Sequence, residues 1–281
     1  MTERFFLNVY RPFNKSKKLI TVWFTEVLET YTGIKGVYSA YFQYSSFKGE
    51  NIEFIFFIKG NSDVSEKLES SIRVFISTQL EPLRVSEKIP KLDKLFMDYP
   101  INSILTSQKM ENIVLSEEEI DHTLNFTKFI LRVHSDTIFE PDEFKISIPS
   151  QLLLLQLFAY CQSKLEILSF IGELSNKVNN LNNNDDFSLV NHTHLDLVRE
   201  DFDDLTKTYW GSCSSNRNDL LSIWYDISVI KRSINHENFD ERKKLFTGRF
   251  KRMFFSMNQD ENDLLFVVEL VKKYVDTCNI L

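Results

Sequence analysis

Ile52 to Ile58, read Ile-Glu-Phe-Ile-Phe-Phe-Ile, holds six apolar residues and one glutamate. A strand with one wet face alternates apolar and polar side chains, because successive Cβ atoms point to opposite faces. This run does not alternate, so it belongs in the middle of a sheet that is covered on both faces. Its neighbours fit a hairpin: VYSAYFQYS (37–45) precedes it, and Lys48-Gly49 supplies the turn. Upstream, RFFLNVY (Arg4 to Tyr10) reads as a strand closed by Arg11-Pro12. KKLITVWFTEVLETY then spaces Leu19, Val22, Trp23, Val27 and Tyr31 as a helix, stopped near Gly33. After Gly60, Ser62 or Asp63 caps a helix with Val64, Leu68, Ile72 and Phe75 on one stripe. EPLRVSEKIP (81–90) reads as a short edge strand between prolines. Strand, helix, hairpin, helix, strand is a ferredoxin-like α+β order. Its helices cover one sheet face, and the rest of the chain is expected to cover the other.

Beyond residue 100 the pattern turns helical. Ser116 and Glu119 form a capping box before Ile120, Leu124, Phe126, Phe129 and Ile130. One long apolar helix is expected after Pro149, a loop at Asn182 to Ser188, and helices at about 218–234 and 260–277. The expectation is one module, 1–281, made of an α+β half (1–105) and a mainly helical half (106–281).

Composition removes several classes. At 281 residues, 43% hydrophobic and with 25 Phe, the chain can bury a large core. It has 7 Gly and neither phosphate-cradling glycine motif, which argues against a nucleotide enzyme. No apolar run approaches the roughly 18 residues of a membrane span, and charges interrupt the N-terminus where a signal peptide would be apolar. Three widely spaced Cys read as free thiols in a reducing cytoplasm. A net charge of −7 disfavours nucleic acid.

Three stretches could carry chemistry. His192 and His194, on one side of a strand with Asp196 nearby, would be metal ligands or plain loop residues. No metalloenzyme spacing accompanies them, so no metal or other cofactor is expected. YWGSCSSNRNDLLSIWYDIS (209–228) places Cys213 in a small polar loop and Ser222, Trp224, Tyr225 and Ser228 on a helix. Cys213 as a nucleophile would need a positioned base. Hydroxyls lining a pocket, or an ordinary amphipathic helix, are the other readings. RKKLFTGRFKR (242–252) carries six basic residues and no acid, which fits RNA, an acidic peptide or a solvated helix face.

The order of elements resembles the C-terminal, elimination-type domain of lantibiotic dehydratases, which recurs as a stand-alone protein in thiopeptide-type bacteriocin biosynthesis. YFQYSSFKGENIEFIFFIKG lies where that family has an R-Y turn into H-l-R-l-R, and SDVSEKLESSIRVFI where its next helix lies. FEPDEFKISIPSQLLLLQLFAY keeps Glu140-Pro141-Asp142 from the family's Y-x-P-E-x-x-R-Y-G-G, without the glycines. FFSMNQDENDLLFVVELV overlays H-M-x-x-N-R-L with Asn258 matched, Phe254 in place of His and Gln259 in place of Arg. Elimination in that family needs arginines to hold the leaving glutamate, and Glu53, Phe54 and Phe57 stand where Arg or His is expected.

The chain therefore resembles the family's pyridine synthases more closely. The resemblance implies a cofactor-free macrocyclase joining two dehydroalanines of a precursor peptide by a formal aza-[4+2] cycloaddition. Tyr225, Ser222 and Ser228, with His236 in reserve, are the candidates for proton transfer to the reacting amide. Phe54, Phe56 and Trp224 would wall the substrate space. Lys243, Lys244, Arg249 and Lys251 would meet an acidic leader peptide. Association with other biosynthetic enzymes or a homodimer is the partner expectation, with no nucleic acid and no membrane. The alternatives are a glutamate-eliminating domain of a split dehydratase and a non-catalytic leader-binding subunit.

Overall fold

The computed structural model describes residues 2–32, 36–46, 48–60, 63–80, 99–109, 117–135, 146–161, 163–179, 192–210, 238–257 and 261–277. They form two compact units, Met1–Asp136 and Thr137–Leu281.

In the first unit, β1 (Thr2–Tyr10) runs to a π-helical turn (Leu19–Phe24) that continues as α1 (Thr25–Tyr31). The hairpin β2 (Val37–Ser45) and β3 (Asn51–Lys59) follows, then α2 (Val64–Gln79), β4 (Ile104–Lys109) and α3 (Glu117–Ser135). The sheet order is β2-β3-β1-β4, and every neighbouring pair is antiparallel. This is the ferredoxin-like arrangement expected from the element order. The turn falls at Lys48 (φ 56°) and Gly49 (φ 107°), a left-handed path that glycine takes without a Cβ penalty. The fourth strand is residues 104–109, not the 81–90 segment assigned to it from sequence. That segment lies outside the described residues.

β3 is buried on both faces. Ile52, Phe54, Phe56 and Ile58 point one way, beside Phe5, Leu7 and Val9 of β1, and all seven are buried. Against this face pack Trp23 and Phe24 from the π-helical turn. Trp23 and Phe24 lie 5.0 Å from the Phe54 ring and 6.4 and 5.8 Å from the Phe56 ring. Phe54 and Phe56 have no exposed surface, so their expected role as the wall of a substrate space is corrected: they are core. Two aromatic rings offered to a solid helix layer bury far more stabilising area than they would lining a cleft. α3 adds to the same cover, since Thr127 Oγ1 donates to the Ala40 carbonyl at 2.9 Å and His134 stacks on Phe42 at 5.7 Å. The first unit thus takes in a helix that the sequence reading assigned to the C-terminal half.

The second unit is helical: α4 (Ile148–Tyr160), α5 (Lys164–Asn179), α6 (His192–Trp210), α7 (Phe239–Phe255) and α8 (Glu261–Thr277). α4 is buried from Ile148 to Ala159, which marks it as the central helix that the others surround. The single long helix expected here is two. Cys161 is extended (φ −108°, ψ 147°) and Ser163 Oγ accepts from the Glu166 amide at 3.3 Å, capping α5. Tyr274 ties α8 to α6 by donating to Asp203 Oδ1 at 2.9 Å beside Thr206 Oγ1, with its ring 4.9 Å from Phe202. The helix expected near 218–234 and the loop at 182–188 lie outside the described residues. No helix among the described residues is long and apolar enough to cross a membrane.

Candidate functional site

The face of the sheet opposite α1, α2 and α3 mixes polar and aromatic side chains. Strand alternation puts Arg4, Phe6, Asn8 and Tyr10 of β1 on it, and the register aligns them with the neighbouring strands. Gln43, Glu53 and Asn8 lie side by side across β2, β3 and β1, with Tyr41, Ile55 and Phe6 in the next rank. Gln43 Nε2 donates to Glu53 Oε2 at 2.5 Å. At one end Tyr10 is buried with its ring 4.7 Å from Tyr99, and Lys48 Nζ sits 5.5 Å above the Tyr99 ring. Burial raises the Tyr10 phenol above its ordinary 10.0, and Tyr99 and Glu53 push it the same way. At the other end Arg4 lies 5.6 Å over the Phe57 ring, which also packs 6.2 Å from Tyr41.

The arrangement offers a proton-holding phenol, a carboxylate held by an amide, and an aromatic platform. Tyr10, Ile55 and Phe57 are buried and Arg4, Asn8, Tyr41, Gln43 and Glu53 half-buried, so the face is a covered layer of mixed polarity. Arg4 is the single arginine on this face among the described strand residues. From sequence, Glu53 stands only where an arginine or histidine is expected. The signal available was the period of β1, where Asn8 and Tyr10 share a parity with Arg4.

Ser222, Trp224, Tyr225, Ser228, His236 and Cys213 lie outside the described residues. His192 and His194 start helix α6, not a strand. Residues two apart on a helix lie on opposite sides, so the pairing premise for a metal fails. No group of three or more His, Cys, Asp and Glu side chains gathers as a metal site among the described residues.

The basic stretch forms α7, and its period turns several charges inward. Arg242 forks onto Glu166 at 3.0 and 3.2 Å and reaches the Tyr160 carbonyl at 2.7 Å. Lys243 pairs with Glu173 at 3.0 Å and donates to Ser169 Oγ at 3.3 Å. Arg249 is 3% exposed, bonded to the Tyr160 hydroxyl and 5.9 Å from its ring. The expectation that Lys243 and Arg249 present charge to a leader peptide is therefore corrected: both anchor α7 to α4 and α5. Positions 242, 246, 249 and 253 fall on one helical stripe, which is the buried one. Lys244 is exposed and Lys251 half-buried.

Neither known protein families nor curated proteins give a match to this sequence. Among solved structures the fold does recur. It is similar to the pyridine synthase TbtD from thiomuracin biosynthesis, with 98% of each chain aligned, a TM-score of 0.61 and 10% identity. That likeness establishes a shared α+β fold.

Proposed function

We propose that the chain is a thiopeptide-type macrocyclase, a pyridine synthase acting on a precursor peptide that carries two dehydroalanines. The observation that carries the reading is the shared fold, aligned over 98% of both chains with the pyridine synthase TbtD. The chemistry asks for little beyond placement. One amide tautomerises to an imidic acid, the ring closes by forming two C–C bonds around the amide nitrogen already in place, and water and the leader peptide, as its carboxamide, depart. Holding both ends of one substrate in near-attack geometry contributes about 7–11 kcal/mol. A hydroxyl or imidazole bonded to the amide moves the proton, and Tyr225, Ser222, Ser228 and His236 are the residues proposed for that step. The shortage of arginines on the described sheet face supports cyclisation over glutamate elimination. Lys244 and Lys251 are the members of the basic stretch left to attract an acidic leader.

The test is direct. Purified chain incubated with a bis-dehydroalanine precursor, without nucleotide or metal, should yield macrocycle and free leader by mass spectrometry. Unchanged precursor overturns the reading, and glutamate released from a glutamylated precursor instead assigns the chain to elimination. Tyr225→Phe at full rate removes that residue from the proton path.

A further inference from the structure

On the outer side of the helix layer, between the π-helical turn with α1 and the facing α2, runs an apolar groove of about 590 Å³. We propose that this groove docks an amphipathic helix of a partner protein, one with a row of aliphatic side chains flanked by lysine or arginine.

Four observations converge. The floor is built: Trp23 is 2% exposed and its Nε1 donates to Ser71 Oγ at 3.1 Å, so the indole has no polar demand on an incoming ligand. The rim is uncovered, with Val22 50% and Val74 58% exposed on opposite sides. Val22 lies in the π-helical turn, a geometry that is rare and concentrates at functional positions. The charge is one-sided. Glu26 is the single charged side chain among the residues that line the groove. The basic groups of α2 are already engaged, Lys67 with Asp63 at 2.5 Å and Arg73 with Glu69 at 2.7 Å.

The occupant is a helix for a backbone reason. Both walls are helices whose N–H and C=O groups bond internally, so they cannot pair with an added strand. An incoming segment must satisfy its own backbone, and a helix does that while presenting an apolar stripe. The Glu26 carboxylate then selects basic flanks. This groove lies on the opposite side of the sheet from the Glu53 face, and the proposal stands apart from the cyclase reading.

The probe is a fluorescein-labelled amphipathic peptide of about 18 residues with a leucine stripe and lysine flanks, beside a twin with glutamate flanks. Anisotropy should show the lysine peptide binding the full chain, more weakly as salt rises, and the glutamate twin at least about tenfold weaker. Val74→Asp should weaken the lysine peptide by about tenfold. That substitution adds negative charge, so mere electrostatic attraction would grow stronger, not weaker. An unchanged melting curve for the variant, at a site already exposed, separates lost docking from lost folding. Failure of the lysine peptide to bind, equal binding of both peptides, or binding indifferent to Val74→Asp overturns the proposal. So does sedimentation showing a dimer of the chain that Val74→Asp dissolves, because a second copy would then be the occupant.

Discussion

Replacing Phe54 by alanine tests whether the phenylalanine-rich strand is core or substrate wall. Phe54 has no exposed surface, and its ring lies 5.0 Å from both Trp23 and Phe24 and 6.3 Å from Phe42. Emptying such a site loses the transfer energy of the ring and leaves a cavity that a packed helix layer cannot close, about 3–5 kcal/mol in all. The two close aromatic pairs place the value in the upper half of that range. With a urea dependence of about 2 kcal/mol per molar, the unfolding midpoint should fall by about 2 M. Urea titration followed by tryptophan fluorescence reads this well, since Trp23 sits against the altered site. Tyr41→Ala, on the other sheet face and half-buried, should move the midpoint by less than about 1 M. A Phe54→Ala midpoint within about 0.5 M of the wild type refutes the packing argument. So would a variant of full stability that has lost peptide turnover, because Phe54 would then be a wall after all.

Burial pushes the Cys161 thiol up from its ordinary 9.0, with Glu166 adding to the shift and Arg242 opposing it, and burial likewise raises the Tyr44 phenol from 10.0. The folded chain holds these protons more tightly than the unfolded one. Their contribution is therefore complete below about pH 9 and is lost as the pH climbs past the unfolded values. The urea midpoint should decline from pH 9 upward, less steeply in Cys161→Ala. Iodoacetamide at pH 8 should leave Cys161 unlabelled until urea is added, as peptide mapping would show; labelling of the folded chain contradicts the burial. Arg242→Met removes the fork on the Glu166 carboxylate, whose side chain is 23% exposed, and the bond to the Tyr160 carbonyl, and should cost about 2–3 kcal/mol in the same titration. Lys244→Glu, on the exposed side of the same helix, should stay within about 0.5 kcal/mol, and equal losses for the two would mean that α7 is not anchored as described.

Much of the first unit was legible because its periods are simple. The Ile52–Ile58 run, apolar but for Glu53, announced a strand covered on both faces, and the turn at Lys48-Gly49 fixed the hairpin. Those features depend on residues a few positions apart, where spacing and turn chemistry decide. Legibility failed where partners distant in sequence decide. Nothing near Phe54 says that Trp23 and Phe24 will fill the space beside it. Nothing near Arg249 says that Tyr160, 89 positions away, will take its guanidinium. The four-stranded order likewise needed β4 at Ile104–Lys109 to pair with β1, a choice made by register across the sheet rather than by local propensity. Composition and period determined that this chain builds an α+β unit followed by helices. Tertiary structure alone decided which of its aromatic and basic residues are used up in packing. A side chain's exposure is a property of everything that surrounds it, and its neighbours in sequence supply only part of that surrounding.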